Sequence, residues 1–224
     1  MKKIFFYVLL ITLLSSCATK MPTKSVAYKN LYSEHPLSIL AMPPINRSTK
    51  VEAKELFYSS LAVPFALNGY YVMPPLLTME ILKEESAYDS EMFTNSSLKK
   101  MGELFGVDAV LFTTIHEWTK TSITSQIRVK IEYTLKSTKT DEILFNRIGD
   151  VTLTTSVNSG NVIANLAASM LATALTKEII VGRNVNIYTI GDIPAGRYSP
   201  MYQKDGDQIS QPKEFKKSIS NTYH

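Results

Sequence analysis

The sequence predicts an α+β protein: a mixed sheet of about five strands, in the order β-α-β-α-α-β-β-β-α, with helices packed mainly on one face. Three observations lead there. Two short apolar runs, 37–42 and 70–73, each end in a double proline (Pro43-Pro44 and Pro74-Pro75) and flank a stretch with helical spacing. Residues 126–136 alternate without a break between apolar and polar side chains. A long stretch at 161–181 has polar residues recurring at every fourth position, and nearly everything else over 162–175 is Ala, Val, Ile, Leu or Met.

The first run, 37–42, suits a buried strand, because prolines lack the amide proton a ladder needs and so end it. Leu56, Phe57, Leu61, Phe65 and Leu67 then recur close to helical spacing over 51–67, with Pro64 set to kink or end that helix and Asn68-Gly69 to stop it. Residues 70–73 make the next strand, so a right-handed crossover with parallel strands is expected. Helices follow at about 78–85 and 97–105, the second closed by Gly106. The run 109–118 is apolar on both faces and reads as central. In 126–136, Ile127, Val129, Ile131, Tyr133 and Leu135 point one way and polar residues the other, as in an antiparallel strand with one wet face. A polar turn at 137–141 leads to a strand over 142–155, with a bulge expected at Gly149. The helix at 161–181 is expected to be the longest.

Both ends read differently from this middle. Lys2 and Lys3 precede an apolar stretch, 4–14, followed by Ser15, Ser16 and Cys17. That is the plan of a secretory signal, and the stretch is short of the about 20 residues a spanning helix needs. Leu14-Ser15-Ser16-Cys17 resembles the bacterial lipobox. The resemblance implies cleavage after a 1–16 signal peptide and lipid on Cys17, which is the only cysteine and so has no disulfide role. Under the family sorting rule, Ala18 implies passage to the outer membrane, facing the periplasm, with surface display left open. Residues 17–36 read as a lipidated flexible tether with a span of roughly 25 Å. Residues 37–202 read as one periplasmic domain and 203–224 as a loose polar tail.

Charge excludes one class of partner. Two of the 24 basic residues leave with the signal, so the mature chain carries 22 basic against 20 acidic groups. That is too balanced for a nucleic-acid binder.

The sequence shows no catalytic, cofactor or metal constellation of a recognisable spacing. His35, His116 and His224 lie far apart, and His116 reads as a structural histidine on the central strand. Asp205-Gly206-Asp207 lacks the later ligands of a calcium loop and reads as a turn. Asn46 and Ser48, after Pro43-Pro44, can fold a turn or cap the next helix.

Two places suggest protein contact. The stripe of Asn161, Asn165, Ser169, Thr173 and Lys177 is narrow, so its helix needs cover over most of its circumference. Ala164, Ala168 and Ala172 would let a neighbour approach, either within the fold or in a homo-oligomer. The segment 193–202, with its prolines, Tyr198 and Tyr202, either packs back on the domain or offers tyrosines to an envelope partner.

Several of these pieces carry a family resemblance. The lipobox, Pro43-Pro44-Ile45-Asn46-Arg47-Ser48, Gly69-Tyr70-Tyr71-Val72, Gly106-Val107-Asp108-Ala109-Val110 and Pro194-Ala195-Gly196-Arg197-Tyr198-Ser199-Pro200 together resemble a bacterial lipoprotein family of unknown function that includes a meningococcal genome-derived surface antigen. Arg197 stands where many relatives carry proline. The domain plan also resembles the TolB N-terminal domain and the periplasmic domain of the curli-secretion channel lipoprotein. The resemblance implies no catalytic residues and no cofactor. It leaves two main readings. One is a non-catalytic accessory or scaffold of an envelope assembly, such as an export system with a curli-channel-like lipoprotein. The other is an outer-membrane regulator of peptidoglycan synthesis. An envelope enzyme is the weakest.

Overall fold

The structure is a computed structural model that describes residues 21–121, 126–156 and 176–222. Its elements run α1 (Lys24–Ala27), α2 (Lys29–Glu34), β1 (Ser38–Ala41), β2 (Ile45–Asn46), α3 (Ala53–Tyr58), α4 (Ala62–Leu67), β3 (Tyr71–Val72), α5 (Pro75–Glu84), a 3-10 turn (Ser90–Phe93), α6 (Lys99–Phe105), β4 (Ala109–Thr121), β5 (Gln126–Ser137), β6 (Ile143–Ser156), α7 (Thr176–Ile190) and β7 (Glu214–Thr222). The class is α+β, as expected. The sheet is mixed and has seven strands rather than five, ordered β3-β1-β4-β5-β6-β7, with the short β2 beside β4.

The double prolines end β1 and β3 as read from the sequence, and the two strands pair in parallel, Ser38 opposite Tyr71. β4 lies between β1 and β5, parallel to the first and antiparallel to the second, which is why both its faces are apolar at the start. The helix expected over 51–67 is divided in two by the turn at 59–61. Pro64 falls in the first turn of α4, where a backbone amide has no intrahelical partner, so the helix tolerates it.

Strand alternation places two cores on opposite faces. Ile39, Ala41, Leu111, Ile115 and the apolar residues of β5 and β6 face α3, α4, α7 and the N-terminal helices. Leu40, Met42, Val110 and Phe112 face a smaller cluster with Leu82 of α5, Leu98 just before α6 and Met101 of α6. The other face of β5 is polar. There Arg128 donates to Asp150 at 2.8 and 2.7 Å, and Lys130 pairs with Glu214 at 3.2 Å.

Four expectations are corrected. The second half of the tether is folded, as α1 and α2. The tail contains β7, which runs parallel to β6 from Ile148–Glu214 to Ser156–Thr222. Gly149 makes no bulge: it pairs with Ile131 in register, and the irregularities lie between Ile115 and Glu117 and between Leu135 and Lys136. Gly149 is small for another reason, since a Cβ there would run into the side chain of Thr189 on α7. Finally, the last helix extends to Ile190, beyond the expected end at Val181; its expected start at 161 lies outside the described residues.

Candidate functional site at the N-terminal junction

The chain enters the fold at Pro22. Ser210 donates both its amide and its hydroxyl to the Pro22 carbonyl, each at 2.9 Å. Thr23 bridges Ile209, the Lys24 amide donates to Gln208 O at 2.8 Å, and the Ser25 amide to Gly206 O at 3.0 Å. This short two-stranded contact holds the N-terminus on the segment between α7 and β7.

α1 and α2 are too short to persist alone. Tertiary contacts hold them. Tyr28, Leu31 and Tyr32 lie three and four positions apart, so they share a face turned to the sheet. Tyr28 and Leu31 are buried there, and each contributes roughly 1.5–3 kcal/mol. Tyr28 stacks obliquely on Phe145, with ring centroids 5.3 Å apart.

Two buried aspartates receive the polar ends. Asp192 Oδ2 accepts the Tyr28 hydroxyl at 2.6 Å and the Gln211 amide at 2.8 Å. Asp205 accepts the Tyr32 hydroxyl at 2.8 Å and the Ala195 amide at 2.9 Å, and pairs with Lys24 Nζ at 3.4 Å. Burial, followed by the carboxylate bond, raises both tyrosine pKa values well above the ordinary range, so both hydroxyls stay protonated donors. Asp205-Gly206-Asp207 is a turn, closed by the Gln208 amide on Asp205 O at 3.1 Å, but its first residue also joins three segments of chain.

Arg147 on β6 organises the floor. It is 1% exposed. Its guanidinium donates to Tyr188 O and Thr189 O at the end of α7, to Pro212 O, and to the Gln211 side chain, and it lies 4.3 Å over the Phe215 ring. A cation there satisfies carbonyls that the helix end leaves open. Burial pulls its pKa down, against the attraction of Asp192 and Tyr28.

The Pro-Ala-Gly-Arg-Tyr-Ser-Pro segment closes one side. The Gly196 amide donates to Asn68 O at 2.7 Å, the Tyr198 amide to Gly69 O at 3.0 Å, and the Tyr70 hydroxyl to Pro194 O at 2.8 Å. A Cβ on Gly69 would overlap Ser199, and one on Gly196 would overlap the Gly69 backbone. Two motifs far apart in sequence are thus one backbone-to-backbone contact. On the other side is an open groove of about 290 Å³, lined by Met21, Pro22, Ala27, Tyr28, Ile143–Asn146, Ser210, Gln211 and Lys213.

Sequence reasoning missed this junction. The signal was present in the spacing of Tyr28, Leu31 and Tyr32, but the run is short and set among Lys, Ser and Thr. Of the residues it did single out, Tyr198 is 67% exposed, whereas Tyr202 packs edge-on against His35 with ring centroids 5.9 Å apart. Ala164, Ala168, Ala172 and Cys17 lie outside the described residues. His116 sits at the irregularity of β4 and bonds Glu132 across the sheet at 3.1 Å. Asn46 forms a turn, accepting from the Ser48 amide at 3.0 Å, beside an open cleft of about 240 Å³ under Pro43-Pro44. Among the described residues no His, Cys, Asp and Glu group could hold a metal, and no helix is long and apolar enough to cross a membrane.

A family model described as "Putative lipoprotein GNA1162-like" matches residues 26–204. A curated lipoprotein of Neisseria meningitidis serogroup B is 29% identical over 118 residues, which are 53% of this chain and 54% of that protein, so the match spans about half the length of the relative. The crystal structure of lipoprotein GNA1162 from Neisseria meningitidis is similar at 26% identity and a TM-score of 0.48, over 65% of this chain and 99% of the other. A PelC dodecamer from Paraburkholderia phytofirmans is similar at 11% identity and a TM-score of 0.42, over 71% of this chain and 88% of the other. The matched region takes in α2, the whole of the described sheet except β7, and the Pro194–Pro200 segment; the chain belongs to the GNA1162-like lipoprotein family.

Proposed function

We propose that this chain is an outer-membrane lipoprotein, anchored by lipid on Cys17 and facing the periplasm, that serves as a non-catalytic scaffold in an envelope assembly beside that membrane. The assembly we favour is an export system with a curli-channel-like lipoprotein. One observation carries the reading. Pro22 is already tied to Ser210, so only four residues separate the lipid site from the fold. Five chain steps reach at most about 18 Å. A domain on that leash works next to its own bilayer. The leash is shorter than the tether expected from sequence and argues against a regulator that reaches an inner-membrane synthase.

The test uses intact cells. Wild-type protein should fractionate with the outer membrane, and Cys17→Ser protein should be soluble or unprocessed. Crosslinking before lysis should capture outer-membrane or periplasmic assembly proteins. Retention of the Cys17→Ser variant on washed outer membranes, or crosslinks chiefly to a cell-wall synthase, would refute the proposal.

A further inference from the structure

The groove beside Pro22 has an unusual rim. Met21 and Ile143, which line the groove, are 37% and 51% exposed, and Val26 and Ile209, next in the chain to the lining residues Ala27 and Ser210, are 66% and 53% exposed; the four lie on three segments brought together where the chain enters the fold. Lys213, exposed, lines the same groove. Apolar side chains around a basic residue match the boundary of a bilayer, where acyl chains meet phosphate headgroups. The length of chain before Pro22 identifies the occupant. If Cys17 carries lipid, as the proposed function holds, Pro22 in the wall of this groove stands within about 18 Å of the lipid-bearing residue however the leash is arranged. At that distance even a weak surface contact is intramolecular and strongly populated.

We propose that this rim is a membrane-contact face: the domain lies with Met21, Val26, Ile143 and Ile209 against the bilayer that anchors it and Lys213 toward anionic headgroup phosphates. The contact fixes which way the molecule points. α5 and α6, on the opposite face of the sheet, are then turned to the periplasm and are free for partners.

The test uses the full lipidated chain in vesicles of phosphatidylethanolamine and phosphatidylglycerol. Cys17 is the only native cysteine, so a single environment-sensitive label can be placed by Ile143→Cys or, as control, by Lys99→Cys on α6. The label at 143 should be quenched several-fold more by brominated lipid than the label at 99, and several-fold less by aqueous iodide. Val26→Asp with Ile209→Asp should restore iodide access at 143 while the protein still floats with the vesicles. Equal iodide access at 143 and 99 in floating protein overturns the contact face and leaves the anchor standing. Failure to float, with Cys17 unmodified by mass spectrometry, overturns both. Shielding of 143 in lipid-free Cys17→Ser protein shows that a second copy covers the groove, and overturns the lipid assignment.

Discussion

Arg147 shows how one residue can hold several segments of this chain. It has no carboxylate within bonding distance among the described residues. Its partners are three carbonyls, a glutamine side chain and a ring. Replacing it with methionine keeps most of the apolar stem but takes the donor from the buried Thr189 carbonyl and from the partly buried carbonyls of Tyr188 and Pro212. Bonds to a charged group are worth about 1.5–3 kcal/mol each, and an orphaned buried acceptor adds its own cost. Arg147→Met should therefore destabilise the protein by about 3 kcal/mol or more in urea unfolding, and hydrogen exchange should accelerate first in β7. A loss under 1 kcal/mol, with β7 still protected, would show that the sheet pairing alone holds that strand.

The N-terminal helices and β7 share a physical character at the scale of the element. Neither has enough apolar surface to stand alone, and each depends on partners distant in sequence. Tyr28 on Asp192 and Tyr32 on Asp205 attach α1 and α2. Removing both hydroxyls, Tyr28→Phe with Tyr32→Phe, leaves two buried carboxylates short of a donor. Amides of residues 24–35 should then exchange at least about tenfold faster, which corresponds to 1.4 kcal/mol. The central strands β4 and β5 should stay as protected as before. Unchanged exchange at 24–35 would mean that apolar burial alone attaches the helices. The polar exposed face of β7 follows from its position at the end of the sheet order, where β6 covers one edge and its outward side chains meet water.

Stability of the whole molecule should follow its shifted groups. Asp108 is partly buried, which would raise its pKa. Amide bonds from Leu37 and Ser38 and the Lys139 ion pair outweigh this and lower it. Arg128, through its bonds, lowers that of Asp150. A carboxylate with a lowered folded pKa stabilises the fold above its ordinary value near 3.9, and this is lost as pH falls through the folded value. Tyr28, Tyr32 and Tyr70 act at the other limit. Burial raises their pKa, so their contribution is complete below the ordinary value near 10 and is lost as pH rises toward the folded value. The unfolding free energy should be flat between about pH 5 and 9 and fall on both sides. A steady rise or fall across that range, measured by denaturant titration at fixed salt, would contradict these assignments.

The class, the parallel β1–β3 pair, the central place of β4 and the buried face of β5 were all legible in the chain. Those features rest on repeated local signals: prolines that end ladders, unbroken alternation over eleven residues, and apolar runs long enough to reveal their period. It also supplied the lipobox reading and marked the Pro194–Pro200 segment as special. Tertiary structure decided the rest. The stretch 24–34 reads as tether because its apolar residues are few and scattered among Lys, Ser and Asn, and 214–222 reads as tail because an edge strand is held largely by backbone pairing, with only Phe215 and Ile219 packed against the core. Gly149 invites a bulge until Thr189 arrives against it, and Asp205 is a turn residue until Tyr32, Lys24 and the Ala195 amide converge on it. The physical reason is common to all four. Their stability comes from groups ten or more residues away or from the backbone itself, and neither is visible to a local reading of side chains.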